Sequence, residues 1–306
     1  MRCAECEATA VIDQPYRGAH LCGAHFDRSI EQRFDRTLRR QLSRRDLRIV
    51  AVALSGGKDS ATALALTHRH FADRARAHVV AISVDEGISG YRPPTLAAAA
   101  SLTRRLGVEH RIVRAAERLG ATTDAAAREL PDTPACSFCG VWRRRLLNDA
   151  ATELGADALV LGFNLDDLAQ TVLMNLVRGD LAQVARMAPH AGGHDGLVPR
   201  LAPLAEVPER EVYLYARRRE LPFDHGECPH AGRAARNRFR EIVWELEASA
   251  PGTRQALLRA RDRIAGLLPE PATAAGRCRA CGGPAVGAVC RSCTFLDRLP
   301  LSAEVA

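Results

Sequence analysis

Lysine is almost absent from this chain: among 43 lysines and arginines, Lys58 is the only lysine. Also absent is any run of about 18 uninterrupted apolar residues, which excludes a hydrophobic membrane-spanning helix. The opening MRCAECEATA has neither the apolar segment nor the cleavage pattern of a secretory signal, so a cytoplasmic protein with no membrane partner is expected. No internal repeat or low-complexity linker interrupts the sequence. What is present is enough apolar material, 47% of 306 residues, for one main core with appendages. The formal net charge of +7 favours a polyanionic partner such as nucleic acid, although genomic bias also produces arginine-rich compositions.

That bias makes the one lysine informative. A lysine ammonium is compact on a flexible stem and a guanidinium is a wide planar fork, so a tight phosphate pocket can tell them apart. Lys58 stands in SGGKDS, residues 55–60. Before it, RIVAVAL is a β-branched apolar run suited to a buried parallel strand; after it, SATALALTHRHF has the alanine and leucine content of a helix. Gly56 and Gly57 let backbone amides turn inward at a helix N-terminus, where N–H groups and the helix dipole favour an anion. The spacing is not the GxxxxGK[ST] of P-loop NTPases, which argues against ordinary γ-phosphate hydrolysis. SGGKDS resembles the PP-loop of the ATP pyrophosphatases, which implies cleavage between the α- and β-phosphates of ATP and adenylation of a substrate.

Further along, AHVVAISVD (77–85), EHRIV (109–113) and DALVLGFN (157–164) read as strands separated by helical segments. The expected fold is therefore α/β, a doubly wound, mostly parallel, Rossmann-like sheet with its ligand crevice at the carboxyl ends of the strands. Asp85, Gly162, Asp166 and Asp167 fall at those ends, and a carboxylate there could hold Mg²⁺ bridging ATP phosphates. Asp166 serves equally as a first-turn helix acid, so Asp167 is the preferred candidate.

The ten cysteines divide into three groups. Cys3, Cys6, Cys22 and His25 form CxxC…CxxH, and Cys278, Cys281, Cys290 and Cys293 form CxxC…CxxC. Paired close-spaced ligands suit tetrahedral Zn²⁺, and four ligands close each site, so two structural zinc modules are expected. Cys136, Cys139 and Cys228 remain. Three thiolates can hold an iron–sulfur cluster and leave one iron open. The competing readings are free buried cysteines, a third zinc completed by His225 or His230, or a persulfide and disulfide pair without a cluster. The expected division is an N-terminal zinc module over 1–30, a PP-loop catalytic domain over 31–270 and a C-terminal zinc module over 271–306, with LLPEPATAAGRC (267–278) as the best candidate linker.

In chain order, the first cysteine cluster, SGGKDS, VDEGISGYR, CSFCG, GFNLDD, ECPHA and the last cysteine cluster resemble the tRNA 2-thiouridine synthetases of the TtcA/TtuA family over nearly the whole chain. CGVWRRR and TVLMNLVRGD look more like the archaeal and eukaryotic branch, associated with the wobble uridine U34, than like the bacterial branch acting on the T-loop uridine U54. The resemblance implies a tRNA sulfurtransferase: ATP adenylates the C2 oxygen of a uridine, and sulfur then displaces AMP. It implies a nucleotide site of Ala53, Leu54, Ser55, Gly56, Gly57, Lys58, Asp59, Ser60, Val84, Asp85, Arg143, Gly162 and Asp167, with Arg143 reaching the phosphates from the helix after Cys139. Asp59 and Asp167 would take part in catalysis, and Cys136, Cys139 and Cys228 would carry a [4Fe-4S] cluster that presents the sulfur. Implied partners are tRNA and, as sulfur donor, a ubiquitin-like carrier protein or inorganic sulfide; a homodimer is possible. One departure is Phe163, where the family usually has histidine before its paired aspartates.

The arginine runs 36, 39, 40, 44, 45 and 233, 236, 238, 240 suit RNA phosphates or simply solvated helix faces. Two other classes stay open: another PP-loop synthetase, which needs no central cysteines, and a zinc-module RNA binder, which needs neither Lys58 nor the aspartates.

Overall fold

The computed structural model describes residues 1–42, 47–72, 77–187, 196–233, 236–268 and 276–300. The chain opens with a hairpin of β1 (Ile12–Gln14) and β2 (Ala19–Leu21), antiparallel across a turn at Gly18. Helix α1 (Gly23–Gln41) follows without a break across the 30/31 boundary, because Phe26, Ile30, Phe34 and Leu38 make one continuous apolar stripe. Next come β3 (Ile49–Ala53), α2 (Lys58–Ala72), β4 (His78–Asp85), α3 (Arg92–Leu106) and β5 (Glu109–Arg114). Short helices α4 (Ala115–Leu119) and α5 (Thr123–Glu129) lead to α6 (Ala135–Glu153), β6 (Ala158–Val160), α7 (Leu165–Val177), α8 (Leu181–Arg186) and β7 (Arg200–Leu201). The chain continues through α9 (Glu209–Arg218), α10 (Arg236–Ser249) and α11 (Thr253–Leu267), then the hairpin β8 (Gly276–Arg277) and β9 (Pro284–Ala285) and helix α12 (Arg291–Leu296). Of the expected linker, Leu267 ends α11, and residues 269–275 lie outside the described ones.

The five central strands run parallel in the order β5-β4-β3-β6-β7. Val50, Ala51, Val52 and Ile82 are completely buried, as the apolar runs require of strands covered on both faces. One face packs against α1, α2 and α9, through Phe26, Ile30, Leu64, Val212 and Tyr215; the other packs against α6, through Leu146, Leu147 and Ala150. The N-terminal hairpin and α1 thus share the main core. After β3 the chain moves outward to β4 and β5, then returns to β6 on the other side of β3. The strand order reverses between β3 and β6, which places the crevice at their carboxyl ends.

The strand expected over 157–164 is shorter, Ala158–Val160. Beyond it Gly162 lies against the start of α2, where a Cβ would come within 2.9 Å of the Ser60 amide. Asn164 then turns out of strand geometry to cap α7. Among the described residues no helix is long and apolar enough to cross a membrane.

Candidate active site

The loop after β3 turns tightly at Gly56. Its φ of 90° disfavours any other residue, and a Cβ there would collide with the Thr95 carbonyl, so the position admits no side chain. Ser60 fixes the rest. Its hydroxyl donates to the Gly57 carbonyl at 2.9 Å and accepts from the Ser55 amide at 3.1 Å, and it lies 2.9 Å from the Ser55 hydroxyl. Lys58 and Asp59 begin α2, at the N-terminal end where the helix dipole favours an anion.

Lys58 Nζ donates to Asp59 Oδ2 at 2.9 Å and to Glu209 Oε1, on α9, at 2.8 Å. Although burial opposes it, these carboxylates hold the ammonium above the usual lysine range. Asp59 Oδ1 accepts from Asn164 Nδ2 at 3.0 Å. Asn164 Oδ1 in turn accepts from the Asp167 amide at 3.0 Å, while Asp167 Oδ2 accepts from the Asn164 amide at 3.3 Å, a reciprocal cap at the start of α7. Burial and the Asp59 carboxylate push Asp167 up to about 6. The two aspartates of the β6–α7 turn therefore differ. Asp167 faces Asp59 and lies 3.5 Å from Arg236, whereas Asp166 is buried in an ion pair with Arg254 at 3.1 Å and accepts from the Glu209 amide at 2.7 Å. Phe163 is 41% exposed.

Asp85 ends β4 and accepts from the Gly87 amide at 3.0 Å. Beside it, Glu86 and Arg92 form a buried pair at 2.8 Å, and Arg92 donates to the Ser55 carbonyl at 2.9 Å and to the Val84 carbonyl. The other oxygen of Glu86 pairs with Arg143 Nε, and Arg143 Nη2 lies 3.4 Å from Cys139 Sγ. A continuous line of charged contacts thus runs from the loop at 55–60 through Arg92, Glu86 and Arg143 to a central thiol. Arg143 is directed at Glu86 and Cys139, and both Cys136 and Cys139 lie within α6, which begins earlier than expected.

Three residues apart on α6, Cys136 and Cys139 share a face. Cys228 joins them from the segment before α10: it packs against the cluster that contains Cys139, Ile88, Phe138 and Trp142, and the charge of Cys136 acts on it. Burial raises the Cys139 thiol, against the pull of Arg143. Among the described residues, the groups whose ligand atoms all lie within 4.8 Å are the two terminal clusters, and the central thiols are not one of them. A four-iron cluster holds its thiolates farther apart than a single ion does, and the neighbouring guanidinium offsets its negative charge, so the donor set fits such a group. Among the described residues, no group of the central thiols with His225 or His230 has its ligand atoms within 4.8 Å of one another, as a single zinc ion requires; His225 packs on Phe223 at 4.6 Å, and His230 Nε2 pairs with Asp124 at 2.8 Å. A cavity of about 530 Å³ is lined by Asp124, Arg128 and His230 and by Ala135 and Pro229, the chain neighbours of Cys136 and Cys228.

The terminal clusters fit one ion each. A tetrahedral ion with metal–sulfur bonds of about 2.3 Å sets sulfurs about 3.8 Å apart; Cys6 and Cys22 are 3.7 Å apart, and Cys281 and Cys290 are 3.8 Å apart. His25 Nδ1 lies 3.4 Å from Cys3 and 3.3 Å from Cys22, with its Nε2 3.7 Å from Glu5. At Cys278, an amide donated by Cys290 helps bring the thiol down to about 6. The C-terminal cluster braces α6: Phe295 packs on Phe138, and Trp142 Nε1 donates to the Ser292 carbonyl at 3.4 Å. At the other end, Arg33 forms a buried pair with Glu211 of α9, and Tyr16 donates to Glu211 at 2.7 Å.

Sequence reasoning missed Glu209, Glu86 and Arg92 and gave Asn164 no role. Glu86 and Arg92 lie within the quoted VDEGISGYR, but Glu209 is 151 positions from Lys58 and belongs to no motif. Of the arginine runs, Arg36 and Arg40 pair with Glu206, Arg238 and Arg240 are exposed, and residues 44 and 45 and the side chain of Arg233 lie outside the described ones.

A glycine-rich loop without a Walker spacing, set at the switch point of a parallel sheet, defines a PP-loop protein. Residues 27–247 match the family described as a PP-loop domain, and residues 2–27 match the 2-thiouridine synthetase TtuA N-terminal LIM domain. The chain is 37% identical to the tRNA 2-thiolation protein NcsA of Haloferax volcanii, over 98% of this chain and 99% of that one. It is also 37% identical to the cytoplasmic tRNA 2-thiolation protein 1 of Bos taurus, over 97% and 88%. The solved structure of the U34-tRNA thiolase NcsA from Methanococcus maripaludis with its [4Fe-4S] cluster superposes with a TM-score of 0.88 at 32% identity, over 98% of this chain and 97% of that one. The chain belongs to the family of PP-loop tRNA 2-thiolation proteins, as the sequence motifs led us to expect.

Proposed function

We propose that this protein is an ATP-dependent tRNA-uridine 2-sulfurtransferase acting on U34. The observation that carries the reading is the line of contacts joining the phosphate loop to a trio of cysteines through Arg92, Glu86 and Arg143. A nucleotide-activating loop alone fits any PP-loop synthetase; three thiols on its flank fit one that moves sulfur. The name of the Methanococcus relative favours U34 over U54.

The backbone amides of Ser55–Ser60 and the Lys58 ammonium bind the phosphates of ATP. Asp59 and Asp167, with Asp85 at the neighbouring strand end, would hold Mg²⁺. The uridine C2 oxygen attacks the α-phosphorus as N3 gives up its proton, and pyrophosphate leaves; a hydrosulfide then attacks C2, AMP leaves with the former oxygen and the hydrosulfide proton passes to N3, without net oxidation or reduction. Cys136, Cys139 and Cys228 would hold a [4Fe-4S] cluster, which would supply iron chemistry for binding sulfide. Arg143 holds Glu86 in place and keeps positive charge beside Cys139. The sulfur donor, sulfide or a carrier protein, would approach through the cavity lined by Ala135 and Pro229, the chain neighbours of Cys136 and Cys228.

Zn²⁺ in each terminal cluster makes those segments structural modules that brace α9 and α6. The divisions 1–30, 31–270 and 271–306 are then a metal-binding segment joined to the main core through α1, a catalytic body and a C-terminal metal-binding segment, in a cytoplasmic protein. Mass spectrometry of tRNA nucleosides from cells with and without this protein tests the function: 2-thiouridine derivatives at position 34 should vanish in its absence. Unchanged wobble thiolation, with pyrophosphate released on a different acceptor, would sink the reading in favour of another PP-loop synthetase.

A further inference from the structure

Glu209 occupies a position that its local sequence does not explain. As the first residue of α9 it is placed where any acid favours the helix dipole, yet its carboxylate reaches Lys58 Nζ at 2.8 Å. The backbone around it is pinned from three sides. Its amide donates to Asp166, itself held by Arg254 of α11. Two residues on, Glu211 is locked to Arg33 and Tyr16. At the far end of α9, Arg218 pairs with Asp27 of α1 at 3.0 Å. The second carboxylate on Lys58 is pinned as well, because Asn164 holds Asp59. A lysine ammonium has three N–H donors. Two are taken by fixed carboxylates, and one is left for an anion in the loop.

We propose that Glu209 is a positioning residue that holds the Lys58 ammonium ready for phosphate. The inference rests on the reading that residues 55–60 bind ATP. A free lysine side chain samples many rotamers, and fixing it before the reaction removes that ordering cost from the activated complex. The negative charge of Glu209 also repels ATP, so its benefit belongs in kcat rather than in ground-state affinity.

The chain offers an unusual probe, since Lys58 is its only lysine. An amine-selective acylating reagent applied to the full chain, followed by mass spectrometry of the Lys58 peptide, reads this side chain alone, with the terminal amine as internal reference. In the wild type, acylation should be slow and ATP should slow it further. Glu209→Gln should speed it on the order of tenfold, as the loss of one of two ion-pair partners frees the amine. The same variant should lower kcat for pyrophosphate release about tenfold with less than about threefold change in KM for ATP, at an unchanged melting temperature. A simple helix-terminus role would move the melting temperature and leave Lys58 reactivity alone. Wild-type acylation and kcat in Glu209→Gln would overturn the inference while ATP protection upholds the nucleotide site. Absence of ATP protection in the wild type would overturn the nucleotide reading, and the inference with it.

Discussion

Lys58→Arg is the most informative single substitution, because it keeps the charge and changes only its shape. The ammonium sits 2.9 Å from Asp59 and 2.8 Å from Glu209. An arginine there carries a longer side chain and five donors in a rigid fork. Its fork would pair with both carboxylates and carry the charge past the loop. One charge-assisted hydrogen bond to phosphate is then lost, about 2 kcal/mol, which lowers kcat/KM roughly thirtyfold. Stability should change by less than about 1 kcal/mol, because partly exposed ion pairs contribute little. Pyrophosphate release with tRNA and ATP, urea melts, and nucleoside mass spectrometry give the three readings. A variant that folds and retains more than half of the wild-type kcat/KM would show that the loop does not discriminate ammonium from guanidinium, and the lone lysine would be incidental.

Replacing Cys136, Cys139 or Cys228 with alanine should abolish thiolation and iron content while ATP affinity, measured by calorimetry, stays within about threefold, since the phosphates are held by a separate loop. Metal analysis should find two zinc ions per chain, and Cys3→Ala or Cys278→Ala should each remove one and destabilise the fold more than they impair the catalytic step; iron loss equal to that of the central variants would contradict the grouping. Glu211→Ala should cost about 3–5 kcal/mol in chemical denaturation, because it strands the buried Arg33 guanidinium, and a loss under about 1 kcal/mol would deny that the pair holds α9 to the N-terminal segment. Asp167 is held up at about 6 against a usual 3.8, so between pH 4 and pH 6 the folded chain keeps a proton that the unfolded chain has released, and native stability falls as pH rises through that window. Asp167→Asn removes this fall: its stability relative to wild type should improve from pH 4 to pH 6 in urea melts, and a flat difference would refute the raised pKa that burial and Asp59 impose on Asp167.

The sequence by itself determined the elements whose chemistry is local. SGGKDS announces an anion loop because two glycines, a strand and a helix N-terminus need only neighbours in the chain. The terminal cysteines announce clusters that could each hold a metal ion, because CxxC spacing already sets two ligands for one ion and the fold only has to bring two pairs together. Parallel strands were legible in RIVAVAL and AHVVAISVD because burial on both faces leaves no polar alternation. The 157–164 strand was read too long, since nothing local says that Gly162 must press against Ser60 or that Asn164 must cap a helix and hold Asp59 at once.

What only the tertiary structure decided is which distant groups share the charges of the site. Asp166 and Asp167 are adjacent and chemically identical, yet one is neutralised by Arg254 from α11 while the other faces Asp59. Glu209 lies 151 residues from Lys58 and reaches it only because α9 packs on α2. The terminal clusters, each legible as a metal site, gave no sign that one braces α9 and the other α6. Those placements depend on strand order, which puts β6 beside β3 after an excursion through two other strands. A ligand pair three residues apart is fixed by one turn of backbone, whereas an ion pair between helices distant in the chain is fixed by the core that packs them together, and no local pattern in the chain records it.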